Sequence, residues 1–392
     1  MTHSHSAGAR WWALALVLLL PAVVFPETAD KEPAPGKVWV YIGTYTQKKS
    51  KGIYRCEFDP ATGKLSSPVL AAETVNPSFL AIAPNQRFLY AVNEIGNYEG
   101  KKAGAITAFA LDPKTGDLKQ LNQQSSEGAV PCHVVVDRAG KHVLAANYTG
   151  GSALVLPIEA DGKLGKTTAF VQHTGKGATK RQDAPHAHSI NLDAANKFAF
   201  VADLGLDKVL VYRYDPAKGT LTANDPPAGI VPPGSGPRHF AFHPAGKYAY
   251  AINEMGNTVT AFSYDPEHGV LKELQTVTTL PADFKGNSYT AEVVVHPSGK
   301  FLYGSNRGHN SIAVFAIDES TGKLTPAGHQ GEGIKTPRNF NIDPTGTYLL
   351  VASQDGDNIS VFRIDPKTGA LKATGNVTEV PAPVCVKFLP VK

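Results

Sequence analysis

The sequence predicts an all-β fold: a seven-bladed β-propeller with four antiparallel strands in each blade. Three observations predict it. A Gly-x-Leu signature recurs seven times, each copy sits in a unit that reads as short strands, and the one strand missing from the first unit stands at the far end of the chain.

The signature occurs at Gly63-Lys64-Leu65, Gly116-Asp117-Leu118, Gly162-Lys163-Leu164, Gly219-Thr220-Leu221, Gly269-Val270-Leu271, Gly322-Lys323-Leu324 and Gly369-Ala370-Leu371, at spacings of 53, 46, 57, 50, 53 and 47 residues. Five copies follow an Asp-Pro pair: Asp59-Pro60, Asp112-Pro113, Asp215-Pro216, Asp265-Pro266 and Asp365-Pro366. This is hairpin-turn chemistry, with Pro fixing φ and Gly taking the left-handed position.

Within a unit the strands follow in order. In residues 237–271, Arg238 to Phe242 alternates into a first strand and Pro244-Ala245-Gly246 turns. Lys247 to Asn253 is the second strand, Thr258 to Tyr264 the third, and a fourth begins near Leu271. Turns every 8–12 residues mark a strand repeat, not a helical one. Residues 38–71 supply only a second, third and fourth strand, and Pro383 to Phe388 supplies the missing first. One blade built from both ends of the chain removes the open edges of the ring.

Composition agrees with one large β domain over 38–392. Hydrophobic residues make up 42% of the chain, enough for a real core, and Gly 37 with Pro 29 supply many turns. A net charge of +4 spread over this length excludes a nucleic-acid-binding stripe. Cys56, Cys132 and Cys385 are too few for a disulfide framework and read as buried free thiols. Arg10 precedes an apolar run from Trp11 to Phe25, shorter than the roughly 20 residues of a membrane span. Residues 1–29 therefore read as a secretory signal peptide. The expectation is an exported protein, a monomer, with no stable membrane span after cleavage; an uncleaved anchor is the alternative.

A site built by many blades belongs at the central mouth, where first strands start and second strands end. The second position of the first strand holds Ser78, Cys132, His188, Arg238, Ala291, Arg338 and Val384. The third holds Phe79, His133, Ser189, His239, Glu292, Asn339 and Cys385. Second strands end in Gly43, Asn93, Asn147, Asp203, Asn253, Asn306 and Ser353, followed by Thr44, Glu94, Tyr148, Leu204, Glu254, Arg307 and Gln354. The Asn/Asp column repeats in most blades and reads as turn bonding. Residues found in only one or two blades have no repeat-wide duty. They are His188, Arg238, Glu254, Glu292, Arg307, Arg338 and Glu94, with His133 and His239 beside them. The bland reading of each is a satisfied polar group at a wet mouth, and their convergence favours a pocket. His243 and His296 precede Pro at the opposite face and read as structural. The loop 172–186 carries Lys176, Lys180 and Arg181 above the mouth; it reads as a solvated loop, with contact to an anionic substrate as the alternative.

The chemistry narrows next. Arginine suits bidentate recognition of carboxylate or phosphate and stabilises an oxyanion. A neutral histidine can take a proton from water. Together they fit ester or lactone hydrolysis, or proton transfer beside a carboxylate in a cycloisomerisation. No Gly-x-Ser-x-Gly elbow is present. A calcium-dependent lactonase using the Asn, Asp and Glu oxygens, and a non-catalytic binding propeller, are the other readings.

Four segments carry a resemblance: Tyr41-Ile42-Gly43-Thr44-Tyr45-Thr46, Pro185-His186-Ala187-His188, Gly236-Pro237-Arg238-His239 and Tyr250-Ala251-Ile252-Asn253-Glu254. They resemble the lactonase family of seven-bladed propellers, which includes 6-phosphogluconolactonases and a fungal carboxymuconate lactonizing enzyme. The resemblance covers roughly residues 38–390. It implies a catalytic set of His188, Arg238, Glu254 and Arg307, no metal and no organic cofactor. The expected activity is hydrolysis of a small anionic sugar lactone, 6-phosphogluconolactonase-like. Arg338, Glu292, His133, His239 and Glu94 are expected to bind substrate. An exported chain sits oddly with a cytosolic phosphosugar, which bears on the substrate more than on the reaction.

Overall fold

The computed structural model describes residues 1–3, 36–47 and 49–389. The expected signal peptide, 1–29, lies outside the described residues apart from its first three. Seven antiparallel sheets follow one another in a ring. Blade 1 pairs Pro383–Phe388 with Val38–Thr44, then Gly52–Asp59, and its outer edge is split into Lys64–Leu65 and Val69–Glu73. Blades 2 to 7 occupy 80–125, 131–172, 187–230, 237–278, 289–330 and 337–379, four strands each. The helical pieces among the described residues are two 3-10 turns, Lys180–Gln182 and Gln354–Gly356.

The closure is a paired ladder. Val40 faces Phe388 and Ile42 faces Val386 across the strands from the two ends of the chain. The last strand of the chain thus pairs with the first and completes the blade, which is what the split first unit required.

The repeated signature has a packing reason. Each of its glycines lies against a ring of the preceding blade. A Cβ on Gly162 would meet the Phe88 ring at 2.1 Å, and one on Gly322 would meet Tyr248 at 2.3 Å. Gly162 also has φ +86, a conformation side chains rarely adopt. The carbonyl of the same glycine takes a tyrosine hydroxyl from the preceding blade: Tyr90 to Gly162 at 3.0 Å, Tyr250 to Gly322 at 3.0 Å and Tyr303 to Gly369 at 2.8 Å. Apolar faces of adjacent blades then close over each other, as Phe198 and Phe200 of blade 4 do against Phe240 and Phe262 of blade 5. Each such buried ring contributes about 1.5–3 kcal/mol.

One irregularity matters for function. Simple alternation would put Arg238, Phe240 and Phe242 on one side of their strand. Instead the register breaks: Pro237 pairs with Asn253 and His239 with Ile252, leaving Arg238 as an extra residue. The same bulge isolates His188 between Ala187 and Ser189, and Arg338 between Pro337 and Asn339. Cys132 and Val384 occupy it in blades 3 and 1. A bulge re-aims side chains and is common beside active sites. Here it lets the adjacent residues Arg238 and His239 line one cavity.

Candidate active site

Glu254, at the mouth end of the second strand of blade 5, is buried at 6% exposure. Its Oε2 accepts Arg238 Nε at 3.0 Å and Arg307 Nη2 at 2.8 Å. Its Oε1 accepts Arg181 Nη2 at 2.7 Å. Burial pushes this carboxyl upward, but the charges of Arg307 and Arg238 and the Arg181 bond outweigh it and hold the group at about 2. It is a fixed anion that organises three guanidiniums.

The guanidiniums are held from behind by main chain. Arg238 Nη1 donates to the Ala291 carbonyl at 2.9 Å and Arg307 Nη2 to the Thr290 carbonyl at 2.8 Å. Arg238 is 2% exposed. Burial, together with the neighbouring Arg238 and Arg338, lowers Arg307 to about 10 against the pull of Glu254, so it stays charged at neutral pH. Arg307 Nε has no hydrogen-bond partner among the described residues.

A second carboxylate faces them. Glu94 accepts the Tyr45 hydroxyl at 3.0 and 2.9 Å and also the Ser78 hydroxyl. The Arg338 guanidinium lies 5.3 Å from the centre of the Tyr45 ring. Four arginines against Glu94 and Glu254 leave an excess of two positive charges, which suits an anionic ligand.

His188 completes the mouth. Its Nδ1 lies 3.6 Å from Cys132 Sγ, and its ring packs edge-on to Tyr148 at 5.2 Å and to His239 at 5.5 Å. Burial first, then the charge of Arg238, drives His188 well below its ordinary value, so it is neutral at pH 7. Ser78, Glu94, Cys132, His188, Arg238, His239 and Arg338 surround a cavity of about 10 Å³, room for roughly one water.

The expected residues thus separate into two depths. His188, Arg238, Arg338 and Glu94 meet at that cavity, and Glu254 with Arg307 is joined to it through Arg238. Glu292 and His133 lie deeper, around a second cavity of about 160 Å³, and His239 borders both. His133 Nδ1 accepts the Ile190 N–H at 3.3 Å, and Glu292 is taken up by His239 and Asn339. Neither reaches the mouth where substrate binding was expected. The loop 172–186 is largely exposed, as expected of a solvated loop, but it is pinned at single points and one of its basic residues reaches the site. Gln182 anchors it to the Leu204 carbonyl at 2.9 Å and to Asp207 at 2.8 Å, and Arg181 reaches Glu254. Arg181 is therefore a site residue that the repeat could not reveal. It belongs to an inter-blade loop and has no aligned column.

The Asn/Asp column is structural in most blades, as its repetition implied. Asn93 Nδ2 donates to the Val75 carbonyl at 2.7 Å, Asn147 Nδ2 to Ser126 at 2.9 Å and Asn306 Nδ2 to Thr279 at 2.9 Å. Asn253 instead donates to the hydroxyls of Thr258 and Thr260. The three cysteines are free and buried. Among the described residues no three His, Cys, Asp or Glu side chains come together as a metal-ligand group. No described helix is long and apolar enough to cross a membrane.

Fold and mouth together define a seven-bladed propeller that gathers arginines, carboxylates and a neutral imidazole around a water-sized space. The chain belongs to the family described as "Lactonase, 7-bladed beta-propeller", whose family model matches residues 39–388. It is 39% identical over 349 residues to the 6-phosphogluconolactonase of Bacillus subtilis, covering 89% of this chain and 97% of that protein. It is 38% identical over 310 residues to the 6-phosphogluconolactonase of Formosa agariphila, covering 78% and 86%. Its fold matches the periplasmic gluconolactonase of Pseudomonas aeruginosa with a TM-score of 0.86 at 36% identity, covering 91% of this chain and all of that one.

Proposed function

We propose that this chain is a lactonase that opens a sugar lactone to its acid by direct attack of water. The observation that carries the reading is the buried Arg238–Glu254–Arg307 cluster beside neutral His188 at a one-water cavity. Glu254, ionised, keeps the guanidiniums aimed and is too weak a base to compete for the proton. Arg238 and Arg307 hold the substrate's anionic edge and the oxyanion that develops at the lactone carbonyl, where preorganised donors are worth most. Arg338 supports them from the Tyr45 side. His188 takes the proton that the attacking water loses, because its buried ring is neutral at the mouth.

The substrate class follows from charge and relatives. The excess of positive charge favours a lactone with a phosphate, a carboxylate or a cluster of polarised hydroxyls. Relatives of similar length carry the names 6-phosphogluconolactonase and gluconolactonase. We place the reaction outside the cytoplasm, from the apolar run at Trp11 to Phe25 and from the periplasmic relative. Assaying the chain on 6-phosphogluconolactone and on plain gluconolactone, with spontaneous opening subtracted, tests the reading. Turnover of either supports it, and turnover of neither overturns it.

A further inference from the structure

Below the mouth lies an ionisable pair that this reaction does not use. His239 Nδ1 and Glu292 Oε1 are 2.8 Å apart. The second Glu292 oxygen accepts the Asn339 amide, and Oε1 also accepts the Val293 N–H at 3.0 Å. Both residues are buried, at 4% and 7% exposure. The fold does not need a carboxylate there, since other blades place Phe79, Ser189 and Cys385 at the same position. An ion buried at such cost calls for a reason.

The pairing fixes the tautomer. Glu292 is held below the usual carboxylate range: burial raises it, but His239, Lys387 and the Val293 N–H outweigh burial. His239 must then donate from Nδ1, an assignment made from the bonding. Its Nε2 makes no hydrogen bond with a described residue. The ring borders the upper, water-sized cavity that His188 shares, and its centre is 5.5 Å from that of His188. One water bridges such a gap.

We propose that His239 and Glu292 form a proton relay behind His188, joined to it by the water of the upper cavity. As the attacking oxygen bonds to the lactone carbon, its O–H bond breaks and His188 takes the proton. His188 passes that proton to the cavity water, which gives one of its own to His239 Nε2. When the ring C–O bond breaks, a proton returns along the same path to the ring oxygen, so no other reactant is needed. The direction follows from the neighbours. A cation on His188 sits beside Arg238 and Arg338. A cation on His239 sits near Arg238 and Lys387 too, but faces the Glu292 carboxylate directly; the rings packed against it are His133, Phe79 and His188 itself. His239 acts through His188 and is a positioning residue.

The inference rests on the lactonase reading, and its test separates the two. Glu292→Gln should lower kcat about 10²-fold with KM nearly unchanged. It should also move the acid limb of the kcat profile to lower pH, because losing the carboxylate makes His239 harder to protonate. An unchanged kcat and profile in the folded variant would overturn the relay. Nitrogen-15 NMR of the histidines in the unmutated chain needs no turnover. His239 should carry its proton on Nδ1 and gain a second proton at higher pH than His188. Protonation of His188 first, or a bare Nδ1 on His239, would overturn the relay even in a working lactonase. If no lactone is turned over, the lactonase reading fails while the order of protonation still judges the pair.

Discussion

The two ends of the seven first strands teach different things. At the far end, polar residues repeat and are consumed locally. Asp193 accepts the N–H of Lys197 at 2.7 Å and of Phe198 at 3.0 Å, then the Tyr264 hydroxyl of the next blade at 3.3 Å. Asp137 does the same with Lys141, His142 and Tyr214. His243 and His296 replace them and meet the carbonyls of Gly299 and Gly346 at 2.9 and 2.8 Å. At the mouth end, residues change from blade to blade and bond both within a blade, as Arg238 does to Glu254 and Ser78 to Glu94, and between neighbouring blades, as Arg307 does to Glu254. Repetition marks structure here, and its absence marks function.

Substitutions at the two ends should therefore part company. After loss of His188, the largest effect belongs to Arg238→Gln, which removes a buried donor at the developing oxyanion. Steady-state assays should show kcat/KM falling about 10²–10³-fold. Glu254→Gln comes next and acts on both properties. It leaves guanidiniums without their counter-charge, at about 3–5 kcal/mol in urea unfolding. Its pH signature has a definite sign. A carboxyl lowered from 4.5 to about 2 by folding contributes stability above pH 4.5 that is lost as pH falls through about 2, and the variant should lack that loss.

A break in the far, repeated architecture should do the opposite. Gly162→Ala places a methyl against Phe88 at a left-handed φ, and should cost about 1–3 kcal/mol of stability while leaving kcat/KM unchanged in the folded fraction. Loss of activity without loss of stability would erase the distinction between the two ends. The smallest effect is expected from Arg181→Ala. Its side chain is 44% exposed. Its loss should raise KM about 2–5-fold with kcat held, and less so in high salt.

Much of this was legible in the sequence for one reason. A repeat provides its own aligned columns, so blades, closure and the odd residues at the mouth can be read from a single chain. His188, Arg238, Glu254 and Arg307 were found that way. The bulge was not legible, because period-two alternation assumes regular pairing, and the bulge lets neighbouring Arg238 and His239 share a cavity. Depth was not legible either: Glu292 and His133 looked like mouth residues but lie below it. Arg181 stood out only as one of three basic residues on a loop above the mouth, because loop chemistry carries no direction. Gln182, anchored to Leu204 and Asp207, and His173, bonded to Asp203, set where that loop goes.

The most direct test compares lactone turnover by the unmutated chain and by His188→Ala, on phosphorylated and plain sugar lactones, with spontaneous opening subtracted. The account predicts turnover on at least one lactone and a fall of about 10²–10⁴-fold in the variant. Equal rates in the two proteins, or none above the spontaneous reaction, would contradict it.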